Sequence, residues 1–442
     1  MKFCFMDVKS NNNPKTNNRF WYALDNAAKI FPAIITREVT SVIRISAKLA
    51  EPVHIEAFRK AVLMAENRFP YYLVQLRKGF FWYYLEHLPH HILVEPDDKE
   101  CCRKFEKGDL LLRFLLWENS ISLEVSHILT DGGGAFEFLR TVLILYFQEC
   151  GVAIPEDFLY KKPQEKWSEE EFEDAYQRYF KEEIPPLVRR SKAFHLPFSL
   201  NMSPRFHRTI VNVSMGDIKR VAKDNRVSIT VYLAAVYLYN LQDVFEHLNP
   251  ISKLKMSKVL RVQVPVNLRN IFSSQTMRNF SLFVMPEIDL RLGHYSFEEI
   301  LRSVYHQMEL ETEEKLINKN ISRNVGSEKK IYVRSIPLFV KSLILKAKFN
   351  SLGTSQFSGV VTNLGRVDLP PEVADKIDHF VLTAPPPNKM LKISCAVVGF
   401  KERLTLCFGS VAKSDEFEKR FVRFLNENNI SSESEELNLI NS

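Results

Sequence analysis

The segment that most constrains the fold runs from Ile121 to Tyr146, where a strand pattern passes through three glycines into a helix pattern. Ile121, Leu123 and Val125 alternate with Ser122, Glu124 and Ser126, the period of two of a half-buried strand. Ala135, Phe138, Leu139, Val142, Leu143 and Tyr146 then recur at helical spacing. Between the two stands Ser126-His127-Ile128-Leu129-Thr130-Asp131-Gly132-Gly133-Gly134. A turn this sharp calls for permissive backbone, which the glycines supply. His127 keeps the parity of Leu123 and Val125, so its imidazole is expected to point inward with them.

A lone histidine at such a turn is ordinarily a core residue satisfied by a backbone partner. The His-x-x-x-Asp-Gly spacing raises a second reading, in which His127 is a general base for a hydroxyl or amine. Neutral imidazole suits that work because its unperturbed pKa, near 6.5, lies close to working pH. Asp131 reads either as a catalytic partner of His127 or as a buried structural ion pair, and the second is favoured. No Gly-x-Ser-x-Gly elbow and no Gly-x-x-x-x-Gly-Lys-Ser/Thr loop occurs, which removes two common alternatives.

With 442 residues the chain has room for two core-bearing domains, and 45% hydrophobic residues fit a globular protein. Its longest apolar runs, such as Val231 to Tyr239, are too short to span a bilayer, so no integral membrane association is expected. Met1 to Ser10 lacks a sustained apolar core and does not read as a signal peptide. Six irregularly spaced cysteines with no Cys-x-x-Cys pair point to a cytoplasmic protein without a structural disulfide or zinc site. His87, His90 and His91 cluster, but Pro89 breaks any shared helical face and no metal site is expected there. The net charge of +7 is dispersed, which fits an anionic ligand or an acidic partner and gives little support to nucleic acid.

Residues 1–19 are asparagine-rich and expected to be loosely ordered; 20–150 alternate strands and helices as a first lobe. Residues 151–205 are proline-rich around a charged segment, Ser168 to Glu183, whose Phe172, Tyr176, Tyr179 and Phe180 predict an amphipathic helix in a crossover. Residues 206–442 restart with a strand near Phe206 and form the second lobe, with helix starts at Ser214-x-x-Asp217 and Ser296-x-x-Glu299.

The His127 string resembles the His-x-x-x-Asp-Gly motif of the CoA-dependent acyltransferase superfamily, which includes chloramphenicol acetyltransferase, BAHD acyltransferases, alcohol acetyltransferases and the condensation domains of peptide synthetases. Pro265-Val266-Asn267-Leu268-Arg269 resembles the Pro-Val-Asp-x-Arg region of that superfamily, and Val361-Thr362-Asn363-Leu364-Gly365-Arg366 its Ser/Thr-Asn-x-Gly strand. Asn279-Phe280-Ser281 resembles a Gly-Asn segment, with Arg278 where the glycine would stand. Ser126 replaces the first His of the doubled motif common in condensation domains, and the Asp-Phe-Gly-Trp-Gly segment of plant BAHD enzymes is absent. What remains looks most like the alcohol acetyltransferase branch.

The resemblance implies an α/β fold of two chloramphenicol acetyltransferase-like lobes, each a mixed sheet with flanking helices, and a channel between them holding His127. It implies acyl transfer from acyl-CoA, a co-substrate and not a bound cofactor, to a small alcohol or amine by a monomeric enzyme. His127 would be the base, and Arg269 would grip Asp131 through its guanidinium fork beside Gly132. Thr362, Asn363 and Ser126 are candidates for oxyanion or channel contacts, Thr362 and Asn363 being equally ordinary strand-end residues. Two alternatives stand beside this reading: a transferase fed by the phosphopantetheine arm of an acyl carrier protein, and a non-catalytic relative that binds a thioester or protein.

Overall fold

Two large hydrophobic cores, each laid against its own sheet, divide the chain into lobes. A computed structural model describes residues 20–97, 100–185, 190–202 and 205–435; residues 1–19 lie outside these. The first sheet has five strands in the order Ile377–Thr383, Val42–Leu49, Ser120–Ser126, Leu112–Trp117 and Leu93–Pro96. Its pairs are antiparallel except the last, which is parallel. Its first strand comes from the second half of the chain. Helices Ile55–Arg68 and Gly132–Glu149 pack on each other above the sheet, carrying Phe58, Val62, Phe138 and Val142 into the core.

The alternation along Ser120–Ser126 does not mark a solvated face, because Ser122, Glu124 and Ser126 are as buried as Ile121 and Leu123. Glu124 is matched by Arg113, whose Nε and Nη2 donate to its Oε2 at 3.0 and 2.6 Å, while Ser122 accepts from Arg44 Nη2 at 2.9 Å. Paired in this way the polar residues can be buried, and Val381 of the first sheet packs with Ile210 and Cys407 of the second lobe.

The second sheet runs in the order Ser281–Val284, Val259–Asn267, Gly359–Arg366, Ile393–Phe400, Arg403–Ser410, His207–Ser214 and Ser432–Glu435, with Glu287–Asp289 beside Val259–Asn267. Gly359–Arg366 pairs in parallel with both its neighbours and the other pairs are antiparallel, so both sheets are mixed. Helices Ile229–Glu246, Phe297–Glu311 and Glu416–Glu427 cover it. Ser296 and Glu299 close a capping box, whereas Ser214 caps Asp217 N while the Asp217 carboxylate turns to Arg220 and Ser431 N. A small sheet, Trp21–Ala23, Tyr83–His87 and Val74–Lys78, flanks the first lobe. No helix among the described residues is long and apolar enough to cross a membrane.

The helix predicted over Ser168 to Glu183 is replaced by two single turns, Glu169–Phe172 and Ala175–Arg178. Its carbonyls serve other partners: Met277 N donates to Glu171 O at 2.6 Å, and Thr276 Oγ1 to Glu173 O at 2.8 Å. The Glu171 carboxylate meanwhile takes both Arg68 guanidinium donors, at 2.7 and 2.9 Å, and the Tyr71 hydroxyl at 2.8 Å. The crossover is thus a strap, stitched to residues 68–71 on one side and 276–277 on the other.

Candidate active site

The strand Ser120–Ser126 stops one residue before His127, whose N–H donates to Ser41 O at 2.8 Å. The chain then pivots on Ser126. Its carbonyl accepts from Leu129 N at 2.8 Å and its hydroxyl from Ile128 N at 3.3 Å, so buried Ser126 holds the turn. His127 is consequently a half-buried residue of the turn.

Asp131 caps the helix Gly132–Glu149, its Oδ1 accepting from Gly134 N at 3.0 Å. None of Gly132, Gly133 and Gly134 has a positive φ, so the expected conformational demand is not what selects them. Space is what matters at Gly134, where a Cβ would overlap Thr130 Oγ1 and the Met277 carbonyl. At Gly132 the nearest neighbour of such a Cβ is the Leu364 side chain at 3.7 Å, which places the tip of Gly359–Arg366 beside the turn.

Asp131 turns away from the imidazole. Its Oδ2 accepts from Arg269 Nη1 at 3.0 Å and from Phe280 N at 2.8 Å. The fork does not close on it: Arg269 spends Nε on Thr276 O at 2.8 Å and Nη2 on Arg278 O, so the grip is single and the other donors staple residues 276–278 in place. Burial pushes the Asp131 carboxyl up, but the Arg269 charge and hydrogen bond and the two backbone N–H groups outweigh it and hold the group below its ordinary value.

The imidazole has a different partner. His127 Nδ1 lies 3.2 Å from Asn279 Oδ1, while Asn279 Nδ2 donates to His127 O at 2.9 Å and to Asp25 Oδ2 at 3.1 Å. A peptide carbonyl only accepts, which fixes Nδ2 on that side and leaves Oδ1 facing the ring. Oδ1 in turn only accepts, so Nδ1 carries the proton and Nε2 the lone pair. Burial lowers the imidazole below its ordinary 6.5, against the Asn279 contact, the Asp131 charge and the Thr130 backbone. It is neutral at neutral pH.

Asp25 is fully buried, accepts from Ala28 N at 2.7 Å and pairs with Arg278 Nε at 3.5 Å. Burial pushes its carboxyl up to about 6, with Arg278 pulling the other way. Arg278 donates to Ala23 O at 2.6 Å and lies over the Phe172 ring, which accounts for a large cation where the resemblance expects glycine. Phe31 stacks on the imidazole, ring centres 5.1 Å apart. Phe31 and Asp25 were not among the residues selected from sequence, and Asn279 was named there only within the segment that resembles a Gly-Asn segment.

Thr362 and Asn363 are half-buried on Gly359–Arg366, with Asn363 donating to Thr230 Oγ1 at 3.0 Å and accepting from Gly365 N at 2.8 Å. Neither is hydrogen-bonded to His127. Cavities of about 110 Å³ beside His90 and His91 and about 530 Å³ walled by Tyr22, Trp167 and Phe172 are not lined by His127. Of the three clustered histidines, His91 Nδ1 is 2.7 Å from Glu66 Oε2. Among the described residues one group has metal-ligand spacing, Cys101, Cys102 and Glu124, but both Glu124 oxygens are already occupied by Arg113 and by Cys102 N.

Solved structures share this architecture over most of the chain. The first condensation domain of the calcium-dependent antibiotic synthetase, in complex with a substrate analogue, matches with a TM-score of 0.60 at 13% identity over 92% of this chain and 96% of that one. The chain has the two-lobed fold of condensation and acetyltransferase domains. Fusarium sporotrichioides TRI101, complexed with coenzyme A and T-2, shares it with a TM-score of 0.59 at 11% identity over 94% of this chain and 99% of that one. So does the trichothecene 15-O-acetyltransferase TRI3 of the same species, with a TM-score of 0.58 at 13% identity over 93% and 94%. No protein-family model matches the chain, and no curated protein matches its sequence.

Proposed function

We propose that this protein transfers an acyl group from a CoA thioester to a hydroxyl or amine acceptor, with His127 as general base, in the manner of an alcohol acetyltransferase. The observation that carries the reading is the fixed tautomer: Asn279 holds the proton on Nδ1 and leaves the Nε2 lone pair to accept another. Nε2 takes the acceptor proton as the acceptor oxygen or nitrogen attacks the thioester carbonyl. The tetrahedral oxyanion collapses, the carbon–sulfur bond breaks, and His127 returns the proton to the leaving thiolate. Such assistance contributes roughly 100- to 10,000-fold. Asp131 and Arg269 brace the turn without entering the chemistry, and Thr362 and Asn363 are proposed to line the path of the acceptor from Gly359–Arg366. The complex of TRI101 with coenzyme A, and the 15-O-acetyltransferase name of TRI3, support a CoA donor and an oxygen acceptor within this fold.

The decisive experiment incubates purified protein with acetyl-CoA and a panel of alcohols and amines while free thiol is followed. Acceptor-dependent thiol release that falls at least about 100-fold in His127→Ala is expected; equal release by both proteins sinks the reading. The condensation-domain match favours one second reading, an acyl donor carried on a phosphopantetheine arm. Turnover with acyl-loaded carrier protein and none with acyl-CoA would select it. Tight CoA binding with no turnover would select the non-catalytic relative.

A further inference from the structure

The helix Leu338–Lys348 is inside out. Beyond Leu338 at its start, its one buried side chain is a lysine: Lys341, 4% exposed, donates to Phe81 O at 3.1 Å and Arg334 O at 3.3 Å and lies over the Trp82 ring. Its outward stripe is apolar, with Phe339 66% and Leu343 69% exposed and Ile344 beside them. A helix on a water-facing surface shows the reverse arrangement. The patch continues on both sides. The preceding turn, Ile331–Arg334, exposes Ile331 and Tyr332, and the tip of the first-lobe hairpin exposes Phe80, whose carbonyl accepts from Leu338 N at 2.9 Å. Contiguous exposure on this scale marks an interaction surface.

The charge around the patch says what covers it. From Lys329 to Val367 the chain contains no Asp or Glu, and it contains seven Lys or Arg. Lys329, Lys330, Arg334, Lys346 and Lys348 are exposed around the apolar stripe, with Lys78 at the hairpin tip. Apolar side chains rimmed by cations of one sign match an anionic bilayer surface, whose interior accepts the rings and whose headgroups accept the charges.

We propose that helix Leu338–Lys348, the turn Ile331–Arg334 and the Phe80 hairpin tip form a docking surface for an anionic membrane, on which the protein lies without crossing. The helix has 11 residues, enough to lie along an interface and too few to span one. The short helix Phe31–Ile34 packs against it and stacks Phe31 on His127, so docking brings the imidazole within one helix of the bilayer. Resting on the acyl-transfer reading, this geometry assigns a lipid-dissolved acceptor to the site.

Flotation of the full chain with vesicles tests the surface. Binding to phosphatidylcholine–phosphatidylserine vesicles is expected, with little to phosphatidylcholine alone and loss on added salt. Leu343→Asp should weaken it roughly tenfold or more, and the pair Lys346→Glu and Lys348→Glu should weaken it while unfolding in urea stays unchanged. Equal affinity for both vesicle types, no affinity for either, or indifference to these substitutions overturns the proposal. So does a dimer in sedimentation velocity that Leu343→Asp dissolves, since a second copy would then be the occupant. Binding is read without turnover, so its failure leaves the acyl-transfer reading standing, and failure of thiol release leaves the docking standing.

Discussion

The lone pair on His127 Nε2 sets the pH behaviour of any chemistry at this site. Because the ring titrates below 6.5, kcat/KM should hold its plateau through neutral pH and fall only on an acid limb centred below that value. A pH profile checks this; a limb above 6.5 contradicts it. Asn279→Ala frees the ring to take either tautomer and should lower kcat roughly five- to tenfold, the worth of one hydrogen bond, with KM for the thioester little changed. Asp131 acts through stability instead. Removing it leaves the half-buried Arg269 without its counter-charge, which costs up to roughly 3 to 5 kcal/mol, the range for a broken buried pair. Since its folded pKa lies below its ordinary 3.8, the stabilisation is complete above 3.8 and fades as pH falls through the lower folded value. Urea midpoints of wild type and Asp131→Asn should therefore differ at pH 7 and converge in that acid window.

Among the elements, the turn from Ser126 to the helix Gly132–Glu149 is the least forgiving. Gly134→Ala drives a methyl into Thr130 and the Met277 carbonyl and should cost roughly 1 to 3 kcal/mol or abolish soluble expression. Gly132→Ala meets only Leu364 at 3.7 Å, so thermal unfolding should show it neutral or stabilised. The strand, the helix and the place of His127 between them were legible because each depends on neighbours within a few residues. Asn279 was read only as part of a segment resembling a Gly-Asn segment, and its hold on the imidazole was invisible because the two lie 152 residues apart. At Gly134 the constraint is space and not a positive φ, and it was invisible locally because the neighbour, Met277, comes from the other lobe. Ser168 to Glu183 failed differently: its aromatic spacing is compatible with a helix, but Glu171 and Glu173 bind more strongly to Arg68 and to residues 276–277 than to a fourth neighbour in a helix.

For the molecule as a whole, the position of Ile377–Thr383 in the first sheet matters most, pairing antiparallel with residues 44–49 of Val42–Leu49 across one register shift at Asp378. Residues 20–150 alone would leave Val42–Leu49 as an uncovered edge, and circular dichroism with hydrogen exchange should find that fragment unfolded or aggregated. Adding residues 151–435 as a separate chain should restore protected amides in both halves.

That same pairing has a consequence during synthesis. Val42–Leu49 emerges from the ribosome more than three hundred residues before the strand that completes its sheet. At typical elongation rates this leaves an adhesive strand edge unshielded for roughly 15 to 65 seconds. The nascent first lobe is therefore a natural client for a chaperone that shields hydrophobic edges, and slowing translation beyond residue 150 should lengthen its dependence on one.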